Sequence, residues 1–228
     1  MHRIRSIHRQ GAVHAHKHTR RAIAQPTDLE YIHLFDTCEI HKERLPEVDK
    51  TIDGKMVPGK PRYQRVSSLV GGGAGLPEPN TNGRIPWYFI SCVHYRECSF
   101  SFKKHLHNGD PLTGYTTHVP ANRPQVGHPP PFTFEESAVD ALTLLGFDKI
   151  AGWTLPVILR KLEAYNGFGY SGLHEIPSPY LWGYSNLYTK GLYVSDGKFK
   201  ADVVGKQMGT AVLLKRMEQR GLIGIPRS

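Results

Sequence analysis

Apolar residues recur at helical spacing in several blocks of the chain, with glycine- and proline-rich stretches between them. One block opens at Pro86, whose missing N–H costs nothing in a first turn, and places Phe89, Ile90 and Val93 on one face. A second runs from Thr154 to Asn166 with Leu155, Ile158, Leu159, Leu162 and Tyr165 aligned. Thr133-Phe134-Glu135-Glu136 reads as a capping box that starts a helix through Leu145 and stops at Gly146, so Glu136 belongs to the cap. The pattern also predicts a short helix in Asp28 to Glu43, another in Arg62 to Val70, and a last one over Ala201 to Arg220. That last helix would bury Val204, Met208, Ala211 and Leu214, with Gly205 and Gly209 admitting a close neighbour. Between helices, Lys50 to Pro61 reads as a loop or small hairpin. Gly71 to Pro77 reads as flexible punctuation, and no Gly-Lys-Ser/Thr follows that would make it a phosphate loop. Asn108-Gly109 is a hairpin-type turn signal, and Thr113 to Val119 then alternates like a strand. Pro120 to Pro131 is a proline-rich loop expected beside a cleft.

A carboxylate falls on the apolar stripe of the first block. Glu97 lies four residues after Val93 and seven after Ile90, on the apolar stripe and near the helix C-terminus. Burial and the negative end of the helix dipole both disfavour an ionised carboxylate there, so its pKa should be raised. A carboxyl group still protonated near neutral pH can serve as a general acid. The competing reading is a structural ion pair with Arg96 or another cation.

Two short motifs give the glutamate a context. Glu97-Cys98-Ser99-Phe100 and, later, Ala164-Tyr165-Asn166-Gly167 resemble, in the same order, segments of the lysozyme-like superfamily, in particular goose-type lysozymes and soluble lytic transglycosylases of peptidoglycan. That family carries a catalytic glutamate near the end of a buried helix in a Glu-Ser-Ser/Gly-Phe setting, and an Ala-Tyr-Asn-x-Gly segment lining the same cleft. Here Cys98 stands for the small serine, and no Gly-Leu-Met-Gln-type segment follows the glutamate. Instead, His94-Tyr95-Arg96-Glu97, His105 to Leu112 and Ser178-Pro179-Tyr180-Leu181-Trp182 resemble the pattern of a divergent bacterial and phage group. This likeness spans about Trp87 to Phe199.

The resemblance implies a mainly α (α+β) lysozyme-like domain over 62–228, with a small β-hairpin after the catalytic helix. A basic arm (1–25) and an N-terminal extension (26–61) would precede it. It implies cleavage of the β-1,4 bond between N-acetylmuramic acid and N-acetylglucosamine, with Glu97 protonating the departing oxygen and Tyr165 and Asn166 orienting the sugar. Asp110 is the candidate second carboxylate, able to activate water if it reaches the opposite face of the sugar; otherwise it is a turn residue before Pro111. Ser99 belongs to the motif. Tyr180, Trp182 and Asn186 come from an aromatic and amide cluster of the kind that stacks on and hydrogen-bonds to sugars. No cofactor is implied.

Composition bounds the rest. A chain of 228 residues, 39% hydrophobic, can bury one substantial core. No apolar run approaches the roughly 20 residues needed to span a bilayer, and the N-terminus lacks a secretory h-region. Delivery to a cell wall would then require lysis, a holin-type route or carriage on a phage particle. The placement expected is a virion, or the host cytoplasm or periplasm. The formal net charge of +9 favours anionic partners. Much of it sits in Met1 to Gln25, with Arg3, Arg5, Arg9, Lys17, Arg20, Arg21, five histidines and no acid. That arm is either a solvated tail or an anionic-surface or particle-docking segment; no specific nucleic acid is expected. Cys38, Cys92 and Cys98 are odd in number and read as reduced, buried thiols.

Three other chemistries compete with the glycosidase reading. A zinc amidase could be built from His105, His107, Asp110 and His118. Cys98 near His94 permits a Cys-His nucleophile. A phage or wall-associated binding protein could keep the fold without catalysis.

Overall fold

A computed structural model describes residues 25–70, 84–195 and 197–228. It is mainly helical with one small antiparallel sheet. The helices are α1 (Asp28–Thr37), α2 (Leu45–Thr51), α3 (Val57–Leu69), α4 (Trp87–Cys98), α5 (Phe134–Leu144), α6 (Leu155–Asn166), α7 (Gly169–Leu173), α8 (Pro179–Trp182) and α9 (Thr210–Gln219). Strands β1 (Leu192–Ser195) and β2 (Lys198–Lys200) pair with Tyr193 opposite Phe199 and a bulge beyond it.

Helix α4 lies at the centre of the helical packing, because it is buried on all sides rather than along one stripe. Every residue from Tyr88 to His94 is buried, the condition of a helix enclosed by others. It packs against α3, α6 and α9, while α1 lies on α6 and α8 bridges α6 and α9. One continuous core results, running from Tyr31 and Phe35 through Phe89, Leu159 and Trp182 to Leu214 and Ile225. The helix starts drawn from sequence reappear as capping geometry. The Thr133–Glu136 box is reciprocal, a second box joins Thr27 to Glu30, and Gly146 sits at φ 69° after α5.

Four sequence expectations are corrected. Lys50 to Pro61 is helical, passing from α2 through a π turn at Ile52–Met56 into α3. Val48, Ile52, Met56, Tyr63 and Val66 form a fully buried stripe whose burial outweighs the breakers Gly54, Pro58, Gly59 and Pro61. The boundary placed at 61/62 therefore falls inside α3, and both sides of it share the core. Thr113 to Val119 forms no strand, and only an isolated bridge, Lys104 to Pro111, flanks the Asn108-Gly109 turn. Its backbone groups go instead to turns and side chains, such as Thr117 and His118 N–H to Asp110. Consequently the sheet lies at residues 192–200 and not after α4. Finally, the last helix begins at Thr210, with Val204 exposed and Gly209 as its N-cap. A Cβ on Gly209 would strike the Leu181 carbonyl, so the close approach is real but is made by the end of α8. Residues 1–24 and the 71–77 stretch lie outside the described residues.

Candidate active site around Glu97

Helix α4 ends one residue beyond Glu97, and the turn that ends it is strained. Ser99 (φ 50°) and Phe100 (φ 59°) both take left-handed backbone conformations without being glycine, each costing on the order of 1–2 kcal/mol. Their N–H groups close the helix on the Tyr95 and His94 carbonyls. Gly109 presses from outside, where a Cβ would collide with the Glu97 carbonyl oxygen. The backbone around Glu97 is thereby gripped from two directions.

The Glu97 carboxyl is half-buried and accepts one hydrogen bond, from the Tyr180 hydroxyl at 3.3 Å. Burial raises its pKa to about 7, against the pull of Arg96 and of the Tyr180 bond. The expected shift is present. Arg96 directs its guanidinium elsewhere, with Nη1 donating to the Met208 carbonyl at 3.3 Å and the group lying 4.4 Å from the Tyr180 ring centroid. Burial and then the Glu97 charge push the Tyr165 and Tyr180 hydroxyls well above the usual tyrosine range, which places both rings in its electrostatic neighbourhood. A cavity of ≈ 530 Å³ opens here, lined by Arg96, Asn166, Tyr180, Leu192 and Lys206 among others. A larger cavity of ≈ 690 Å³ lies at the opposite end of α4, between Trp87 and Trp153, where no Asp or Glu side chain lines it. Glu97 does not itself line the smaller one and adjoins it through Arg96 and Tyr180.

The remaining sequence-derived residues divide. Tyr165, Asn166 and Tyr180 gather with Glu97 from α6 and α8. Ser99 is exposed and caps the helix. Trp182 is a core residue and lines a separate cavity of ≈ 600 Å³ with Tyr31 and Glu163. Asn186 is exposed and ties the chain to the end of α1, accepting from Glu39 N–H at 2.9 Å and donating to the Thr37 carbonyl at 3.2 Å. Asp110 is fastened by four donors: Thr117 N–H (2.8 Å), His118 N–H (3.0 Å), the Thr117 hydroxyl (3.3 Å) and His118 Nδ1 (2.6 Å). Burial works to raise its pKa, but the amide and imidazole donors outweigh burial and hold it below the ordinary aspartate value.

The histidines are committed singly. His105 bonds Ser137 Oγ and the Gly114 carbonyl, and His107 bonds Asp140, which also receives a two-pronged contact from Arg123. No group of three or more His, Cys, Asp or Glu side chains placed to hold a metal ion occurs among the described residues. The candidate zinc ligands are therefore not assembled. His94 is fully buried with Nδ1 on the Tyr63 hydroxyl at 2.8 Å, and Cys98 Sγ donates to the His105 carbonyl at 3.3 Å. All three cysteines are buried and none is in a disulfide, as expected.

One buried acid escapes the sequence reading. Glu163 on α6 is 2% exposed, accepts from the Tyr31 hydroxyl at 2.7 Å, and leaves Oε1 without a partner. Burial raises its pKa too. It falls four residues after Leu159 on the same stripe, so the spacing argument applied to Glu97 reaches it as well. Neither burial nor a tyrosine beside a cavity singles out Glu97, since Glu163 has both; its place at the strained end of α4 does.

No family model matches the chain, and neither the curated proteins nor the solved structures contain a match.

Proposed function

We propose that this chain cleaves the glycan strands of peptidoglycan at the β-1,4 MurNAc–GlcNAc bond, using a lysozyme-like arrangement of helices. The observation that carries this reading is the Glu97 carboxyl, with a pKa of about 7, at the strained end of a central helix and bonded to a tyrosine that lines a cavity. A group titrating near neutral pH holds its proton often enough to give it up and surrenders it readily enough to act. Glu97 would protonate the bridging oxygen as the C1–O bond breaks, and the departing sugar leaves as an alcohol. The resulting oxocarbenium-like sugar is then captured by a hydroxyl whose proton returns to the Glu97 carboxylate, restoring the acid. Asn166 and Tyr180 would position the sugar, whereas Tyr165 is buried in the core and lines no wall of the cavity.

The capturing hydroxyl is either water or the sugar's own 6-OH. Asp110 supports the second, because its carboxylate oxygens are already occupied by donors of its own loop. A route with one carboxylate, giving 1,6-anhydro ends, needs no second base. Delivery by a phage particle, or attachment to an anionic wall through the 1–25 arm, belongs to the same proposal. A non-catalytic wall-binding role is the alternative.

Product analysis on purified peptidoglycan tests all of these. Anhydro ends are expected, and reducing ends would redirect the mechanism to hydrolysis. Free amino groups would indicate an amidase, and the absence of release a binder. Activity should be indifferent to chelators, and reversible inactivation that tracks His105 and His107 would overturn the metal-free mechanism.

A further inference from the structure

We infer that the cavity beside Glu97 selects an acidic sugar, with Arg96 and Lys206 receiving the free lactyl carboxylate of a MurNAc unit that carries no stem peptide; this inference rests on the glycan reading of the site. Its walls are chemically one-sided. Arg96 and Lys206 line it together with the amides Asn166 and Gln207 and the apolar side chains Leu192 and Val203. Among the described residues no Asp or Glu lines it.

Arg96 differs from most of the described arginines in how its charge is used. Arg62, Arg123, Arg160, Arg216, Arg220 and Arg227 each hold a carboxylate at 2.6–3.2 Å. Arg96 instead rests on the Tyr180 ring and the Met208 carbonyl, neither of which neutralises it. Those two contacts fix the guanidinium at the rim of the cavity without consuming its charge, which is preorganisation for an anion. Lys206 is exposed, takes part in no ion pair among the described residues, and is anchored through its backbone carbonyl by the Tyr184 hydroxyl at 2.9 Å. A neutral sugar would leave both cations unanswered, whereas a carboxylate near the reacting bond satisfies the planar fork of Arg96. The apolar wall suits the methyl and ring faces of an N-acetylated, ether-substituted pyranose.

Binding to the full-length Glu97→Gln protein separates charge selection from cleavage. The probes are a GlcNAc–MurNAc disaccharide with its lactyl carboxyl free and neutral diacetylchitobiose, measured by calorimetric titration at low and moderate salt. The acidic disaccharide should bind roughly tenfold or more tightly, as charged hydrogen bonds require, and the advantage should shrink with salt. Adding Arg96→Gln should reduce the ratio to near one, and Lys206→Gln should reduce it in part. Because Arg96 also supports Met208, Lys206→Gln at its exposed position serves where Arg96→Gln does not fold. Equal affinities, a ratio untouched by either substitution, or no binding of either probe overturns the inference. Wild-type protein that prefers the acidic probe but cleaves no glycan sinks the enzymatic reading alone. Wild-type protein that cleaves acidic and neutral strands equally well sinks the charge selection alone.

Discussion

Glu97 and Asp110 are thirteen residues apart and belong to two regions that touch where Gly109 meets the Glu97 carbonyl, yet the regions treat carboxylates in opposite ways. At the end of α4 the carboxyl is surrounded by tyrosine rings and receives one long hydrogen bond, so loss of water dominates and the pKa rises to about 7. In the loop over residues 101–133 the chain has almost no regular secondary structure to satisfy its amides, and carboxylates take that role. Asp110 collects backbone N–H groups, and Asp140 on α5 binds His107, Arg123 and the Gln125 N–H. Donors outweigh burial there, and both acids lie below their ordinary values. Burial leaves a carboxyl reactive only where the chain withholds donors from it.

The hardest test of the contrast is Asp140→Ala. Removing it strands buried His107 and partly buried Arg123, and breaking such a pair costs about 3–5 kcal/mol. Urea unfolding should show that loss, and a change under about 1 kcal/mol would mean that the loop is held by something else.

Glu97→Gln comes next. Activity on peptidoglycan should fall about 10²-fold or more with the fold intact, since the shape is kept and the transferable proton is gone. The same variant sharpens the electrostatic claim. The folded pKa lies above the ordinary 4.5, so the proton's stabilising contribution is complete below pH 4.5 and is lost as pH rises through about 7. Wild-type stability should therefore decline between about pH 5 and 8, by up to a few kcal/mol, while Glu97→Gln should not show that decline. Parallel pH–stability curves for the two proteins would remove the physical basis for Glu97 as an acid.

Gly109→Ala strikes the contact between the two regions. Its φ of 79° disfavours alanine, and the added Cβ meets the Glu97 carbonyl, so a loss of about 2–3 kcal/mol is expected. Thermal unfolding measures it, and activity should fall along with it as the helix end shifts. The smallest effect belongs to Asp110→Asn, which keeps one acceptor oxygen for the amides and should cost about 1–2 kcal/mol, with only a small loss of activity. Its folded pKa is depressed, so its contribution is present above pH 3.8 and is lost as pH falls below it. An activity loss as large as that of Glu97→Gln would make Asp110 a second catalytic carboxylate and favour hydrolysis.

Much of the helical framework is legible in the residues themselves. The Pro86 and Thr154 blocks, the Thr133 cap and the raised pKa of Glu97 follow from spacing and end chemistry alone, because local rules and burial point the same way there. The 50–61 segment defeats those rules because its glycines and prolines are strong local signals, while the Val48–Ile52–Met56 stripe acts only once a core exists to bury it. The hairpin at 192–200 escapes the same reading although Asp196-Gly197 is a turn dipeptide between Tyr193 and Phe199.

The sequence by itself determined that Glu97 ends an apolar helix and that Ala164 to Gly167 ends another, since both statements need only a period and a terminus. Which side chains face Glu97 was decided by the tertiary structure. It brought Tyr180 from α8 to its carboxyl and set Arg96 on the Tyr180 ring. It also sent Trp182 into the core, Asn186 to the end of α1 and the Asp110 carboxylate to its own loop. The physical reason is that a helical period reports which face of an element is buried, whereas a site is made by what other elements bring to that face.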